Sequence, residues 1–260
     1  MQVDDITIAY KTFGAGEPLL MITGYIATMD IWDPLFLERL AAKRQVITFD
    51  NRGMGKTTGG EVDWTIDRFA DDTAGLLDAL SFNQADVLGW SLGGDVALSL
   101  AVRNPEKISK LIVYAGDCGG DEKTDPPKLS EVLKEYHGVE AHFKRVLAEL
   151  FPPEWMERHP DYWKSFKWPH EIDRPESVIK QNRAYEEWAG CYASLREIAM
   201  PVLLVTGTED VSTPPENAIM LAERIPQSWL MRFTGAGHGL QYQYPEELAR
   251  VIIDFLEIAT

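Results

Sequence analysis

Short apolar, β-rich runs alternate with helical stretches along most of the chain, and this alternation constrains the fold more than any other feature. Residues 19–22 (LLMI) form a continuous apolar run, and 45–50, 85–89, 110–115, 201–206 and 228–233 are further β-rich runs. An apolar run without polar alternation suits a strand covered on both faces. Helical spacing fills the intervals: a stretch over 34–42, one over 65–80 with Thr65 as its cap, and one over 92–103 that stops at Asn104-Pro105. Further helices follow 201–206 and 228–233. Strands separated by helices of this length imply βαβ units, hence an α/β fold with a mostly parallel central sheet flanked by helices. Residues 6–13 alternate apolar with polar before the turn Gly14-Ala15-Gly16-Glu17-Pro18. The first strands, joined by that tight turn, are expected to form an antiparallel edge.

The rhythm fails between about residues 118 and 195. That stretch is rich in Pro, Trp, Tyr and charge, and it has helical periodicity without convincing strands. It reads as an insertion, so residues 1–117 and 196–260 are expected to form the core and 118–195 a helical cap. A chain of 260 residues suits one such domain. The N-terminus is acidic and lacks the basic-then-apolar layout of a signal peptide, and no stretch approaches the length of a membrane span. A cytoplasmic location is expected, with no membrane partner. The formal net charge of −16 argues against a nucleic-acid partner, which needs clustered Lys and Arg. Two cysteines, Cys118 and Cys191, make neither a disulfide framework nor a zinc-ligand spacing. No metal or cofactor is expected.

Gly89-Trp90-Ser91-Leu92-Gly93 matches G-x-S-x-G, and it does so between a buried strand and a long helix. A sharp strand-to-helix turn forces unusual backbone angles on its serine, leaves room for it through the flanking glycines, and lifts the hydroxyl to the carboxyl end of the sheet. Such a serine needs a base. Of the five histidines, His137, His142, His159 and His170 fall in the irregular insertion, where surface positions are the better reading. His238, in Gly235-Ala236-Gly237-His238-Gly239, follows the last β-rich run and can return over the sheet. The base in turn needs an acid to fix its tautomer. Asp210 stands directly after the run 201–206 and is the leading candidate; Asp117, after 110–115, is its rival. For the oxyanion hole the expected donors are the backbone N–H groups of Leu92, at the head of the helix, and Tyr25, after Thr23-Gly24.

Gly53-Met54-Gly55-Lys56-Thr57 invites a nucleotide-binding reading. A phosphate loop needs glycine where Asp50 stands, and that carboxylate would repel phosphate, so nucleotide binding is rejected.

Taken together, Gly89 to Gly94, Asp50-Asn51-Arg52-Gly53-Met54-Gly55, Gly207 to Asp210 and Gly237-His238 resemble the α/β-hydrolase superfamily in order and spacing. The nearest look is to its small esterases, lactonases and cofactor-free haloperoxidase-like members. The resemblance implies that 118–195 is the lid, with Trp155, Trp163, Trp168 and Trp188 either lining an apolar pocket or packing cap against core. Many relatives carry His-Gly where this chain has Thr23-Gly24. Serine at position 91 excludes the dehalogenase chemistry of relatives that use aspartate there. The implied function is hydrolysis of small to medium uncharged esters or lactones through an acyl-enzyme. The same three residues would also serve carbon–carbon bond hydrolysis, acyl transfer or perhydrolysis. A ligand-sensing receptor with an intact triad is the alternative from another class.

Overall fold

The computed structural model describes residues 1–125, 148–162 and 175–258. Nine strands and eight α-helices occur among them. A two-stranded ribbon, β1 (Gln2–Val3) and β2 (Ile6–Thr7), precedes the main sheet. The sheet has seven strands: β3 (Tyr10–Phe13), β4 (Pro18–Ile22), β5 (Gln45–Phe49), β6 (Ala85–Trp90), β7 (Ile108–Tyr114), β8 (Val202–Gly207) and β9 (Ser228–Phe233). Its order is β3-β5-β4-β6-β7-β8-β9, and every pairing is parallel except β3 with β5.

This order corrects one expectation. The first strands are antiparallel in direction, yet β3 and β4 do not pair, because β5 lies between them. The connection must therefore cross the start of β5. Gly14, at φ +70°, allows this: a Cβ there would collide with the Ala41 carbonyl. The expected strand over 6–13 is also divided, into β2 and β3.

Alternation along the parallel strands sorts side chains to two layers. Leu20, Ile22, Val87 and Leu111 point to one, shared with α2 (Ile66–Ala79) and α3 (Leu92–Arg103). Leu19, Met21, Leu88 and Ile112 point to the other, shared with α1 (Pro34–Ala41) and a C-terminal helix over 245–257. Burial of both faces explains why these strands read as apolar runs. Helix α2 starts where Thr65 Oγ1 accepts the Arg68 N–H (3.0 Å), and α1 where Asp33 Oδ1 accepts from Leu35 and Phe36.

Between β7 and β8 in the sequence stand α4 (Pro153–Arg158) and α5 (Pro175–Glu186). Helix α5 packs over the loops that leave β4 and β5: its Ser177 lies close to Gly53, and its Gln181 bonds the backbone of Ile26. Then come α6 (Pro215–Arg224), α7 (Leu240–Gln243) and α8 (Pro245–Glu257). No helix among the described residues is long and apolar enough to cross a membrane.

The Gly53–Thr57 stretch is engaged internally. Asp50 accepts from the Met29 and Lys56 N–H groups, Thr57 Oγ1 donates to Asp50 O, and Ala9 N–H donates to Thr57 Oγ1. The turn is a structural one, which agrees with rejecting a phosphate loop.

Candidate active site

Strand β6 ends at Trp90 and helix α3 begins at Leu92, so Ser91 alone makes the turn. Its φ of 56° and ψ of −128° are far from helix or strand values, a strain of about 1–3 kcal/mol in such positions. Glycines make the bend possible. A Cβ on Gly89 would strike the Gly93 carbonyl, and one on Gly93 would strike the carbonyls of Ile22 and Thr23. The bend is anchored by Ser91 N–H donating to Tyr114 O (2.9 Å) and by Ser91 O accepting from Gly94 N–H (2.6 Å). The Leu92 N–H is among the donors that a helix cannot satisfy within itself. Gly24 approaches from the loop after β4: a Cβ there would lie 3.1 Å from Ser91 Cβ and 3.6 Å from its Oγ. Tyr25 is the next residue, so both expected oxyanion segments flank the serine.

His238 sits on the loop between β9 and α7 and is almost wholly buried. Its Nδ1 lies 2.8 Å from Asp210 Oδ2. A carboxylate only accepts, so Nδ1 carries the proton and Nε2 is left as the basic nitrogen. The second oxygen, Asp210 Oδ1, accepts from the Ser212 and Thr213 N–H groups at 2.9 and 2.8 Å. With both oxygens engaged and the side chain sealed from solvent, the carboxylate has one orientation.

Two aromatic residues that sequence reasoning passed over hold the His238 backbone. Tyr114 Oη donates to His238 O at 2.6 Å, and Trp90 Nε1 donates to the same carbonyl at 3.2 Å. The Trp90 and Tyr114 rings stack at 5.9 Å, and the Trp90 and His238 rings stand 5.6 Å apart. Trp90 thus joins the serine turn to the histidine loop. The only signal in the sequence was position: Trp90 directly follows one β-rich run and Tyr114 stands near the end of another. Gly237 N–H to Gln243 Oε1 (2.8 Å) and Gly239 N–H to Leu150 O (2.7 Å) complete the framing.

Asp117 is placed differently. Its Oδ1 accepts from Gly119 N–H (2.8 Å), its own N–H donates to Asp95 Oδ1 (2.9 Å), and Tyr185 Oη stands 3.4 Å from its Oδ2. Burial pushes the Asp95 carboxyl well above its usual range, with repulsion from Asp117 second; burial likewise raises Asp117. One Asp117 oxygen therefore serves the start of the 118–195 segment, at Gly119, and the other faces Tyr185 of α5. Cys118 and Cys191 are free thiols whose backbones meet, Cys191 N–H donating to Cys118 O (2.8 Å). Burial pushes Cys118 up to about 12 and raises Cys191 as well, so both are poor nucleophiles.

Trp155 stacks between Phe151 (4.5 Å) and His159 (4.3 Å), and His159 is exposed. Trp188 packs over Gly119. These two tryptophans are engaged in packing; Trp163, Trp168, His137, His142 and His170 lie outside the described residues. No group of three or more potential metal ligands occurs among the described residues.

A strained serine between β6 and α3, a buried histidine after the last strand and an aspartate after β8 define a class: the chain belongs to the α/β-hydrolase family, whose model, described as alpha/beta hydrolase fold, matches residues 17–245. It is 27% identical over 256 residues to RutD of Azorhizobium caulinodans, a protein assigned as a carbamate hydrolase, covering 96% of this chain and 95% of that one. It is 29% identical over 257 residues to the 2-hydroxymuconate semialdehyde hydrolase of Pseudomonas sp. strain CF600 (94% and 88% covered). Among solved structures, a thermophilic esterase from Thermogutta terrifontis superposes with a TM-score of 0.85 at 25% identity (96% and 93% covered). The enol-lactonase from Burkholderia xenovorans LB400 superposes at 0.88 with 21% identity (98% of each chain), a likeness of fold. Membership of the family and the two sequence relatives support hydrolase activity for this chain.

Proposed function

We propose that the chain is a serine hydrolase that cleaves carboxylic esters or lactones of small to medium uncharged substrates through an acyl-enzyme. The observation that carries this reading is the His238–Asp210 pair joined through Trp90 to the strained Ser91 turn. Ser91 Oγ attacks the carbonyl carbon while His238 Nε2 accepts its proton. The carbonyl π electrons move onto oxygen, and the N–H groups of Leu92 and Tyr25 stabilise that charge. The intermediate collapses by breaking the carbon–oxygen bond, and His238 returns the proton to the leaving alcohol. Water, deprotonated by His238, then attacks the acyl carbon; the second intermediate breaks its bond to Ser91 Oγ, which takes the proton back from His238, and the acid product leaves. Asp210 holds the tautomer and stabilises the imidazolium in both halves. No step calls for a metal or cofactor. The 118–195 segment, read as the cap, selects the substrate.

The test follows p-nitrophenyl acetate, butyrate and octanoate hydrolysis beside Ser91→Ala and His238→Ala. Each variant is expected to lose at least ~10³-fold in kcat while folding normally. Retention of most turnover by either one sinks the mechanism. A burst of one equivalent without turnover would favour a sensor or an acyltransferase. The likeness to a semialdehyde hydrolase favours carbon–carbon bond hydrolysis as the second reading.

A further inference from the structure

The loop that carries Tyr25 holds an uncomfortable conformation. Gly24 to Ala27 is a turn closed by Ala27 N–H donating to Gly24 O (3.3 Å), and its third residue, Ile26, has φ +47°. Glycine or asparagine suits that position; a β-branched side chain there persists only where its surroundings hold it. On the core side Asn51 Nδ2 donates to Thr23 O (3.1 Å), and Gly24 lies against Ser91. On the other side the Ile26 N–H donates to Gln181 Oε1 at 2.6 Å, across 155 residues of sequence.

Gln181 is wholly buried in α5. A backbone N–H can be met only by the amide oxygen, so this bond fixes the orientation of the side chain. The other end of the amide, Nε2, is buried and has no partner among the described residues. An unmet buried donor is costly, and an apolar residue of equal length would fill the space without it. The oxygen is therefore the part of Gln181 that its setting uses.

We propose that Gln181 is a positioning residue for the oxyanion hole. Its oxygen clamps the Tyr25–Ile26 peptide in the strained turn and thereby orients the adjoining Gly24–Tyr25 peptide, which bears the Tyr25 N–H. Helix α5 thus contributes to transition-state stabilisation without touching the reacting atoms. The inference rests on reading Ser91 as the nucleophile and the Tyr25 N–H as a donor to the oxyanion.

The test compares Gln181→Met, which keeps the length and removes the acceptor, with Gln181→Glu, which keeps an acceptor oxygen. With p-nitrophenyl butyrate, Gln181→Met is expected to lower kcat by about 10–100-fold while KM stays within about threefold. Affinity for an alkyl boronic acid, whose tetrahedral serine adduct presents an oxygen to the same donors, should fall by the same factor. Gln181→Glu should recover most of both losses. Amide exchange on the wild-type protein gives a reading that needs no variant to fold: the Ile26 N–H should be protected in step with the amides of α5. Wild-type kcat and boronate affinity in Gln181→Met, equal losses in both variants, or a freely exchanging Ile26 amide would each overturn the proposal. Turnover surviving in Ser91→Ala would overturn the nucleophile reading itself, and this inference with it. An inactive Ser91→Ala beside a fully active Gln181→Met overturns the clamp alone.

Discussion

At Asp210 the carboxylate spends one oxygen on His238 and the other on two backbone N–H groups, whereas Asp117 spends its oxygens on Gly119 and the neighbourhood of Tyr185. The two acids that compete on sequence position therefore have separate duties. Asp210→Asn should lower kcat for p-nitrophenyl esters by about 10³–10⁴-fold, because an amide cannot hold the imidazole in the required tautomer. Asp117→Asn should leave kcat within about threefold, its effect falling on stability instead. The reverse ranking would transfer the acid role to Asp117. Ser91, His238 and Asp210 were legible because strained turns and loop ends leave glycine signatures around them. Trp90, Tyr114 and Gln181 were not. Their partners lie 148, 124 and 155 residues away, and no local pattern marks a hydrogen bond made across such a distance.

Strand β6 supplies the serine turn and also carries a buried acid, Asp86, at its other end. Burial pushes this carboxyl up from 3.8 to about 6, with Arg44 and Lys110 opposing. A folded value above the unfolded one means that the folded chain holds the proton more tightly. Stability from this group is fully present below pH 3.8 and is lost as pH rises through about 6. Asp86→Asn is thus expected to stabilise the protein by about 1–3 kcal/mol at pH 7.5 and by much less at pH 4. Urea unfolding at both values checks this, and an equal shift at both would contradict it. The strands themselves were legible from their apolar runs. Pairing was not: nothing in residues 10–22 reveals that β5 enters between β3 and β4, since that choice depends on how α1 returns the chain and on the close passage at Gly14.

Across the whole molecule, long-range ties set the placement of the elements that bear the site. Arg52 is fully buried and makes five hydrogen bonds: two to Asp72 of α2, two to Asp5 beside the ribbon, and one to Gly59 O. It fixes the loop after β5, against which Ser177 of α5 packs. The motif Asp50 to Gly55 announced this turn, but its acidic partners at positions 5 and 72 were invisible until the fold brought them together. Such an assembly should activate one serine per chain. The most direct measurement reacts the protein with a fluorophosphonate and locates the adduct by intact mass and peptide mapping. One equivalent is expected, on Ser91, absent from Ser91→Ala and formed at least ~10²-fold more slowly in His238→Ala. An adduct on another residue, or none on the folded protein, would contradict it.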